Sequence, residues 1–502
     1  MASTSTSRPN DLVANQPIVS QTIPATHLLA TFISTATSRH LTPDIRAKVQ
    51  EVLLDYIGVT LGAIHHVDST RPIYNAIRAL QGPTLPAATT NGRVDGESHN
   101  PYCTVLGHGT PHFLPQYAGL LNAAFAHSLD FDDTYAAGTL HAGVTTISAA
   151  LTQAESLTSS GMPPSPENFI LAVSVGYEVT CRLGRELGFE AYERGFHNTG
   201  TAGIFGAIAA IAVLKGLSIE VVEHAFGLAG SKAAGSMQYL ENGSWNKRLH
   251  AGFAVHDAFL SVTLAEAGVT GAAKAIEGKS GFLKAYTPNP SISLSRLTAD
   301  LGVQWCWLDS ALKPYPACRM THCFIEICGA IHVDQAEKAV SRLESDIASI
   351  TVRMTPANHI LIGDDTLNKR HPNNAIDAQF SVYFQVAHAL LYGARTGDMT
   401  PYSRLDDAAI HRLTDKVRVQ VDESMSGFAA RMQIRWSDGS TQDFEQVYPL
   451  GEVQHPFGKE NVEEKFRNLA VPVLGKERAE VVVEKVSSLE EQSIAELVQL
   501  LR

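Results

Sequence analysis

Cysteine and positive charge are both scarce in this sequence. It contains 6 cysteines in 502 residues and no Cys-x-x-Cys pair, so a disulfide scaffold is excluded and a reducing, intracellular setting is expected. Lys and Arg number 39 against 51 Asp and Glu, which gives a net charge of −12 at pH 7. Because phosphate contacts need a basic surface, this deficit argues against a nucleic-acid partner. Any anionic small molecule must therefore be bound by a local cluster of cations.

Long apolar runs and targeting signals are lacking as well. Residues 1–26 are rich in Ser and Thr with a single Arg, which fits neither a secretory nor a mitochondrial leader, and we expect a disordered N-terminal segment there. The uncharged, largely apolar stretch 195–214 contains His, Asn, Thr and Gly and predicts a buried helix of a globular domain rather than a membrane span. We therefore expect a cytoplasmic protein without a membrane partner; a mitochondrial location is the alternative.

Helical periodicity dominates the first three fifths of the chain. Thr42 before Pro43 and Ser165 before Pro166 are typical N-cap signals, and Gly216 predicts the end of an almost wholly apolar helix. These patterns predict a large all-helical domain over 27–305.

The hydrophobic periodicity of the sequence changes after about residue 306. The runs "ASITVRM" and "KVRVQVD" alternate in period two, and Asp438–Gly439 separates two further alternating runs, which predicts strands and a hairpin. Residues 378–393 are expected to form a helix. The predicted fold is mainly α, with an α+β lid domain over 306–455 and C-terminal helices over 456–502 that return to the helical domain.

Ionisable residues interrupt Ala/Gly-rich surroundings in four distant segments. The stretch "AHSLDFDDTYAAGTLHAGV" (126–144) carries Asp130, two further aspartates and His141 without any Lys or Arg. His197 directly precedes the apolar helix, "NKRLH" begins at Asn246, and Lys313 and Arg319 flank two prolines. Because an unpaired buried charge is costly, these segments are expected to converge. Their cations (Lys247, Arg248, Lys313, Arg319) and acid–base groups (Asp130, His141, His197) would suit a small polycarboxylate.

A zinc site is the alternative reading of one segment. Cys318, Cys323 and Cys328 recur every five residues beside His322. That spacing does not place them on one helical face, so buried thiols are favoured over a metal site, and no metal or cofactor is expected.

Five ordered motifs resemble the signature segments of the MmgE/PrpD family, which includes 2-methylcitrate dehydratases and cis-aconitate decarboxylases. They are "DFDDTYAAGTLHAG", "GFHNTGTAGIFGAIAA", "NKRLHAGFAVHDAFL", "KPYPACRMTH" and "DAQFSVYFQVAHALL". The resemblance implies a helical domain with an α/β lid, a homodimer, and a site between the domains that needs no cofactor. It implies these catalytic residues: Asp130, Thr134, His141, His197, Lys247 and Lys313. Arg248, Arg319, His250 and Tyr383 are expected to bind substrate.

The chemistry shared by such a family is the generation of negative charge on a carbon next to carboxylates. Lysine ammonium groups can hold an enolate, and an imidazole can move the proton. The residue pair Tyr383–Phe384 departs from the family pattern, in which a single Tyr often occupies the second position. We therefore expect dehydration of a 2-methylcitrate-like acid, with cis-aconitate decarboxylation and epimerisation of an imino-dicarboxylate as alternatives. The alternative outside the enzymes is a non-catalytic member of the family that binds a metabolite.

Overall fold

The computed structural model describes residues 23–83, 101–110, 112–337 and 344–502. Of the segment 1–26 that we expected to be disordered, residues 1–22 lie outside this range, and the first helix begins at Ala25. The described residues are mostly helical with one small sheet, which confirms the mainly α fold.

The elements fall into three sets along the chain. The first set of helices comprises α1 (Ala25–Thr35), α2 (Pro43–His66), α3 (Thr70–Gln81), α4 (Pro115–Ala126), α5 (Gly143–Ser159), α6 (Pro166–Leu187), α7 (Glu190–Glu193), α8 (Asn198–Lys215), α9 (Ile219–Ala229), α10 (Asn246–Glu266), α11 (Phe282–Tyr286) and α12 (Leu294–Thr298). The second set comprises α13 (His322–Glu337), β1 (Ile347–Met354), α14 (Pro356–Asn358), α15 (Leu367–Arg370), α16 (Ala375–Gln379), α17 (Val382–Tyr392), α18 (Ala408–Thr414), β2 (Val417–Val421), β3 (Ala430–Trp436) and β4 (Thr441–Gln446). The third set comprises α19 (Lys459–Leu474), α20 (Lys476–Ser487) and α21 (Ile494–Leu500).

Single turns supplement these elements. They are the 3₁₀ turns Ser38–His40, Ala136–Gly138, Met237–Glu241, Cys306–Asp309, Arg319–Thr321, Glu344–Asp346, Thr400–Ser403 and Leu489–Glu491, and the π turn His359–Gly363.

The helix boundaries follow local chemistry. Thr42 accepts a hydrogen bond from the backbone N–H of Ile45, and Ser165 accepts one from Asn168, so both predicted N-caps are confirmed. Gly216 ends α8 with a φ of +63°, a conformation that favours glycine.

Helix α8 is the centre of the helical part. All its residues except Lys215 are buried. Its length and composition would suit a membrane span, but 94% of it lies inside the protein, as in a core helix. Glycines bring it close to α6: a Cβ at Gly206 would lie 2.5 Å from the carbonyl oxygen of Gly176. The prediction of a helix buried on all sides is confirmed.

The second set forms an α+β unit around a four-stranded sheet with strand order β2-β1-β3-β4. β1 pairs parallel with β2 and antiparallel with β3, with Ile350 opposite Val417 and Ile434. The predicted hairpin is confirmed, because β3 and β4 pair antiparallel on either side of Asp438–Gly439. This unit has its own apolar core, separate from that of the helical part.

Residues 378–393 do not form the one helix expected. Ser381 accepts a hydrogen bond from the N–H of Phe384 and starts α17, so α16 ends at Gln379 and Phe380 lies in the break. The C-terminal helices pack on the helical part, where Gly58 of α2 lets the backbone of Phe466 approach closely.

Candidate active site

The loop between α4 and α5 is buried although it carries three aspartates. Asp130, Asp132 and Asp133 are each no more than 5% exposed. Asp130 adopts a φ of +50°, a left-handed conformation that an L-residue adopts only with support. Two backbone hydrogen bonds of 2.8 and 2.7 Å between Thr134 and Ala311 supply part of that support. They join the loop to residues 306–321, which we call the connecting segment.

Two lysines from distant parts of the chain meet at Asp130. Lys247, in the first turn of α10, donates to Oδ1 of Asp130 at 2.7 Å. Lys313 of the connecting segment lies 3.3 Å from Oδ2 and donates to the backbone carbonyl of Asp130 at 2.8 Å. Burial opposes ionisation of this carboxyl, but the two ammonium groups outweigh burial and hold its pKa below the usual range. The site therefore presents two lysines fixed by one carboxylate.

A second cluster, which we call the histidine cluster, consists of His127, Asp132 and His141. One oxygen, Oδ2 of Asp132, lies 2.7 Å from Nδ1 of His127 and 2.8 Å from Nδ1 of His141. Burial acts to raise the pKa of Asp132, but the two imidazoles hold it well below its usual value. Nε2 of His127 lies 3.2 Å from Nζ of Lys247, so the lysines and the histidine cluster form one network.

Burial keeps both imidazoles of the histidine cluster neutral at pH 7. It lowers the pKa of His127 to about 3. It also lowers the pKa of His141, although the neighbouring carboxylate of Asp132 acts in the opposite direction. A neutral imidazole has one N–H and one lone pair, so each ring can accept a proton.

His197 and His250 lie behind this network. The ring of His197 is stacked on that of His127, with centroids 5.4 Å apart, and its Nδ1 lies 3.1 Å from Nδ1 of His250. Burial lowers the pKa of both imidazoles, that of His250 to about 4. Neither side chain lines the cavity described next. As placed, they support His127 rather than contact a molecule in the cavity.

A cavity opens between the helical part and the α+β unit. Six of the ten residues singled out from the sequence line it: Asp130, Thr134, His141, Lys247, Lys313 and Arg319. The structure thus brings three distant segments to one cavity. The chemical role of each residue stays a prediction.

Arg319 lines this cavity, but its guanidinium is largely engaged. Nε donates to Oε1 of Glu452 at 2.9 Å, and Nη1 donates to the backbone carbonyl of Leu450 at 2.9 Å. These contacts tie the connecting segment to the chain that follows β4.

Besides His250, two more of the expected substrate-binding residues lie elsewhere. Arg248 donates to the hydroxyl of Ser69, and burial lowers the pKa of its guanidinium to about 10. Tyr383 donates its hydroxyl to the carbonyl of Gly363 at 2.9 Å inside the α+β unit, and its ring lies under Arg370. Neither residue lines the cavity.

Apolar side chains also line the cavity. We call this set the apolar wall; it consists of Met237, Met320, Leu361, Phe380 and Phe428. Three of its members come from the α+β unit. A ligand in this cavity therefore meets ionisable groups from the helical part and the connecting segment, and an apolar wall to which the α+β unit contributes the larger share.

Several cavity residues were not selected from the sequence. Tyr192, Tyr239 and Cys318 line the cavity, and burial raises the pKa of all three, that of Cys318 to about 11. They are therefore neutral at pH 7, and the Cys318 thiol is a poor nucleophile. His127 and Asp132 stood in the Asp-rich stretch but were not among the predicted catalytic groups.

A buried ion pair between α19 and α2 supports the Asp-rich loop. Lys465 of α19 donates to the carbonyl of Phe131 at 2.8 Å and pairs with Asp55 at 2.6 Å. Asp55 interrupts the apolar run "VLLDYIGV" of α2, a signal that could have found it. Lys465 lies in an ordinary amphipathic helix and carries no such signal.

The histidine cluster is also where a metal would have to be considered. The three ligand atoms lie within 4.8 Å of one another. Yet the two N–O separations of 2.7 and 2.8 Å are hydrogen-bond distances, whereas ligand atoms around a tetrahedral zinc lie about 3.4 Å apart. The arrangement therefore fits shared protons better than a metal ion. Cys323 and Cys328, weighed above as zinc ligands, are free thiols in the core of the α+β unit.

The chain matches two family models, the MmgE/PrpD N-terminal domain over residues 27–295 and the MmgE/PrpD C-terminal domain over residues 315–491. Among curated proteins, it is 28% identical to the cis-aconitate decarboxylase-like protein oryM of Aspergillus oryzae, over 81% of this chain and 86% of that protein. It is 26% identical to a cis-aconitate decarboxylase of Aspergillus terreus, over 80% and 83% of the two chains. It is also 26% identical to the cis-aconitate decarboxylase of Mus musculus, over 91% and 89%.

Proposed function

Because the chain belongs to the MmgE/PrpD family and is a lyase, we propose that it removes water from an alkylated citric acid, a 2-methylcitrate-like substrate. The observation that carries this proposal is the pairing of two lysines with the apolar wall in one cavity. Cis-aconitate has three carboxylates and no alkyl group, so it would leave the apolar wall without a partner. An alkylcitrate has groups for both the lysines and the apolar wall.

The lysines would bind the substrate carboxylates and the enolate that forms from them. An ammonium has three donors, and the contacts of Lys247 and Lys313 described above use two on each. Each lysine thus retains a donor for the substrate. A preorganised donor of this kind contributes about 3–4 kcal/mol to stabilising developing charge.

Proton transfer falls to the imidazole that faces the cavity. His141 lines the cavity and is neutral at pH 7, so it can take the proton from the carbon next to a carboxylate. The C–H electron pair stays on the substrate as an enolate, which then expels the hydroxyl group. The Thr134 side chain also lines the cavity and could contact that hydroxyl.

Decarboxylation of cis-aconitate is the second candidate, favoured by the names of the relatives reported above. There a C–C bond breaks, CO₂ leaves, and the allylic carbanion must receive a proton. The same lysines would hold the carbanion, but His141 would have to begin the cycle protonated. Epimerisation of an imino-dicarboxylate passes through a related carbanion and is the third candidate.

Product analysis distinguishes these reactions. The purified protein is incubated without added metal or cofactor with citrate, 2-methylcitrate, 2-propylcitrate and cis-aconitate, and the products are followed by ¹H NMR. We expect an alkylated aconitate from the alkylcitrates and a Lys247→Met variant without turnover. Itaconate from cis-aconitate, with the alkylcitrates untouched, would replace dehydration by decarboxylation.

We further propose that the protein is a cytoplasmic homodimer in which the α+β unit acts as a lid over the cavity. Light scattering on the purified chain tests the dimer, since it measures the mass in solution directly. A monomeric mass would contradict this part of the proposal.

A further inference from the structure

Asp132 holds two imidazoles with one oxygen atom, and this geometry restricts where their protons can lie. Oδ2 of Asp132 is 2.7 Å from Nδ1 of His127 and 2.8 Å from Nδ1 of His141. A carboxylate only accepts hydrogen bonds, so Nδ1 of His127, which is hydrogen-bonded to Asp132, must carry the proton. Nδ1 of His141 is as close but lies outside hydrogen-bond geometry. A lone pair on that nitrogen would face the carboxylate oxygen at 2.8 Å, so the same Nδ1–H form is favoured there. In a neutral ring the lone pair then lies on Nε2.

His127 supplies an independent check on this tautomer. Its Nε2 lies 3.2 Å from Nζ of Lys247, and an ammonium only donates. Nε2 of His127 must therefore be an acceptor, which again places the proton on Nδ1. The contacts of both ring nitrogens of His127 therefore indicate the same tautomer.

His141 differs from His127 in what faces its other nitrogen. Nε2 of His141 is 3.9 Å from Oδ1 of Asp130, beyond hydrogen-bond distance, and its side chain lines the cavity. The lone pair of His127 is occupied by Lys247, whereas that of His141 faces the space for the substrate. Of the two imidazoles, His141 is thus the one set to take a proton.

We propose that Asp132 is a positioning residue that fixes His127 and His141 as Nδ1–H tautomers, so that His141 presents its Nε2 lone pair to the substrate. This inference rests on the proposed dehydration for its chemical step. There the substrate C–H bond breaks, its electron pair remains on carbon, and the proton moves to Nε2. Asp132 then faces an imidazolium, and the proton is later passed from Nε2 to the departing hydroxide, which leaves as water.

The charges around His141 come from every side of the site. They belong to the Asp-rich loop, α10 and the connecting segment: Asp130, Asp132, Lys247 and Lys313, with the neutral ring of His127 beside them. The two aspartates favour an imidazolium and the two lysines oppose it. Removing the charge of Asp132 therefore both releases the tautomer and weakens the base.

The test reads the tautomer directly and does not depend on knowing the substrate. Histidine is labelled with ¹⁵N in the full chain, and two-bond ¹H–¹⁵N correlations report which ring nitrogen is protonated; His127→Gln and His141→Gln assign the signals. We expect the Nδ1–H pattern for both residues in the wild-type protein. In Asp132→Asn we expect the Nε2–H form of His141 to appear and kcat to fall by about 10²–10⁴-fold with little change in KM.

Asp133→Asn is the matched control, because Asp133 is the adjacent buried carboxyl, accepts a hydrogen bond from the N–H of Gly143 and does not line the cavity. It should leave the tautomers and kcat unchanged. An Nε2–H signal for His141 in the wild-type protein, or an unchanged Nδ1–H signal in Asp132→Asn, would overturn the inference. A stoichiometric metal on these nitrogens in the purified protein would do the same. Failure of the alkylcitrate assay alone would remove only the proposed substrate.

Discussion

The helical part and the α+β unit contribute opposite chemistry to one cavity. The helical part and the connecting segment supply the ionisable groups, each held by a partner: Lys247 and Lys313 by Asp130, and His141 by Asp132. The α+β unit supplies most of the apolar wall. Charge is tolerated in the first region because it is paired, whereas the residues that the second region contributes to the cavity, Leu361, Phe380 and Phe428, are uncharged. The division suggests that the first region carries out the reaction and the second selects the substrate.

Replacing the base should have the largest effect on turnover. His141→Gln removes the imidazole that lines the cavity, so we expect kcat to fall by about 10²–10⁴-fold. His197→Gln should lose less, because that ring contacts His127 and not the cavity. Steady-state kinetics on the substrate found by NMR give both values. An equal or larger loss in His197→Gln would move the proton transfer away from His141.

Replacing a lysine that pairs with Asp130 should have the second-largest effect on turnover. Lys313→Met keeps the length of the side chain but removes the ammonium, so we expect kcat/KM to fall by about 10²–10³-fold. Lys232→Met is the control, since Lys232 is half exposed and pairs with Asp257 on the surface, away from the cavity. Near-normal rates in Lys313→Met would exclude this lysine from stabilising the enolate.

Changes in the apolar wall should alter preference rather than rate. In Phe428→Ala and Leu361→Ala we expect kcat/KM for 2-propylcitrate to fall about 10-fold while that for citrate changes little, because lost apolar contact affects only the alkyl group. Leu367→Ala, at an exposed position of the same unit, should change neither value. Parallel losses for both substrates would argue that the wall supports the fold and does not select the alkyl group.

The smallest effect concerns stability. Burial, reinforced by Asp132 and Asp55, raises the pKa of Asp133 to about 8. Because an unfolded Asp titrates near about 3.9, this carboxyl contributes stability below about pH 4 that is lost as the pH rises towards 8. The melting temperature of the wild-type protein should therefore fall between about pH 4 and about pH 8, and less so in Asp133→Asn. An identical fall in both proteins would show that Asp133 titrates normally.

Local chemistry made much of the fold predictable. The capped starts of α2 and α6 and the turn at Asp438–Gly439 depend on neighbouring residues alone, so the sequence reveals them. The break at Phe380–Ser381 was missed because an apolar run hides a serine that caps a new helix. Because an unpaired buried charge is costly, we expected the segments that carry Asp130, Lys247 and Lys313 to converge, and these residues do line one cavity.

Side-chain direction was harder to predict. Lys247 and Arg248 are neighbours on α10, and successive residues of a helix point about 100° apart, so only one of them can face Asp130. The apolar wall has no pattern in the sequence, because its members come from residues 237, 320, 361, 380 and 428 in unrelated elements. Such a surface exists only after the chain has folded.

A crystal structure with a bound inhibitor tests the division between the two regions most directly. A tricarballylate carrying a propyl group has the three carboxylates and the alkyl chain but no hydroxyl to lose. We expect carboxylates on Lys247 and Lys313, with the propyl group against Phe428 and its neighbours in the apolar wall. A ligand bound outside the cavity, or one with its alkyl chain turned towards the histidine cluster, would contradict it.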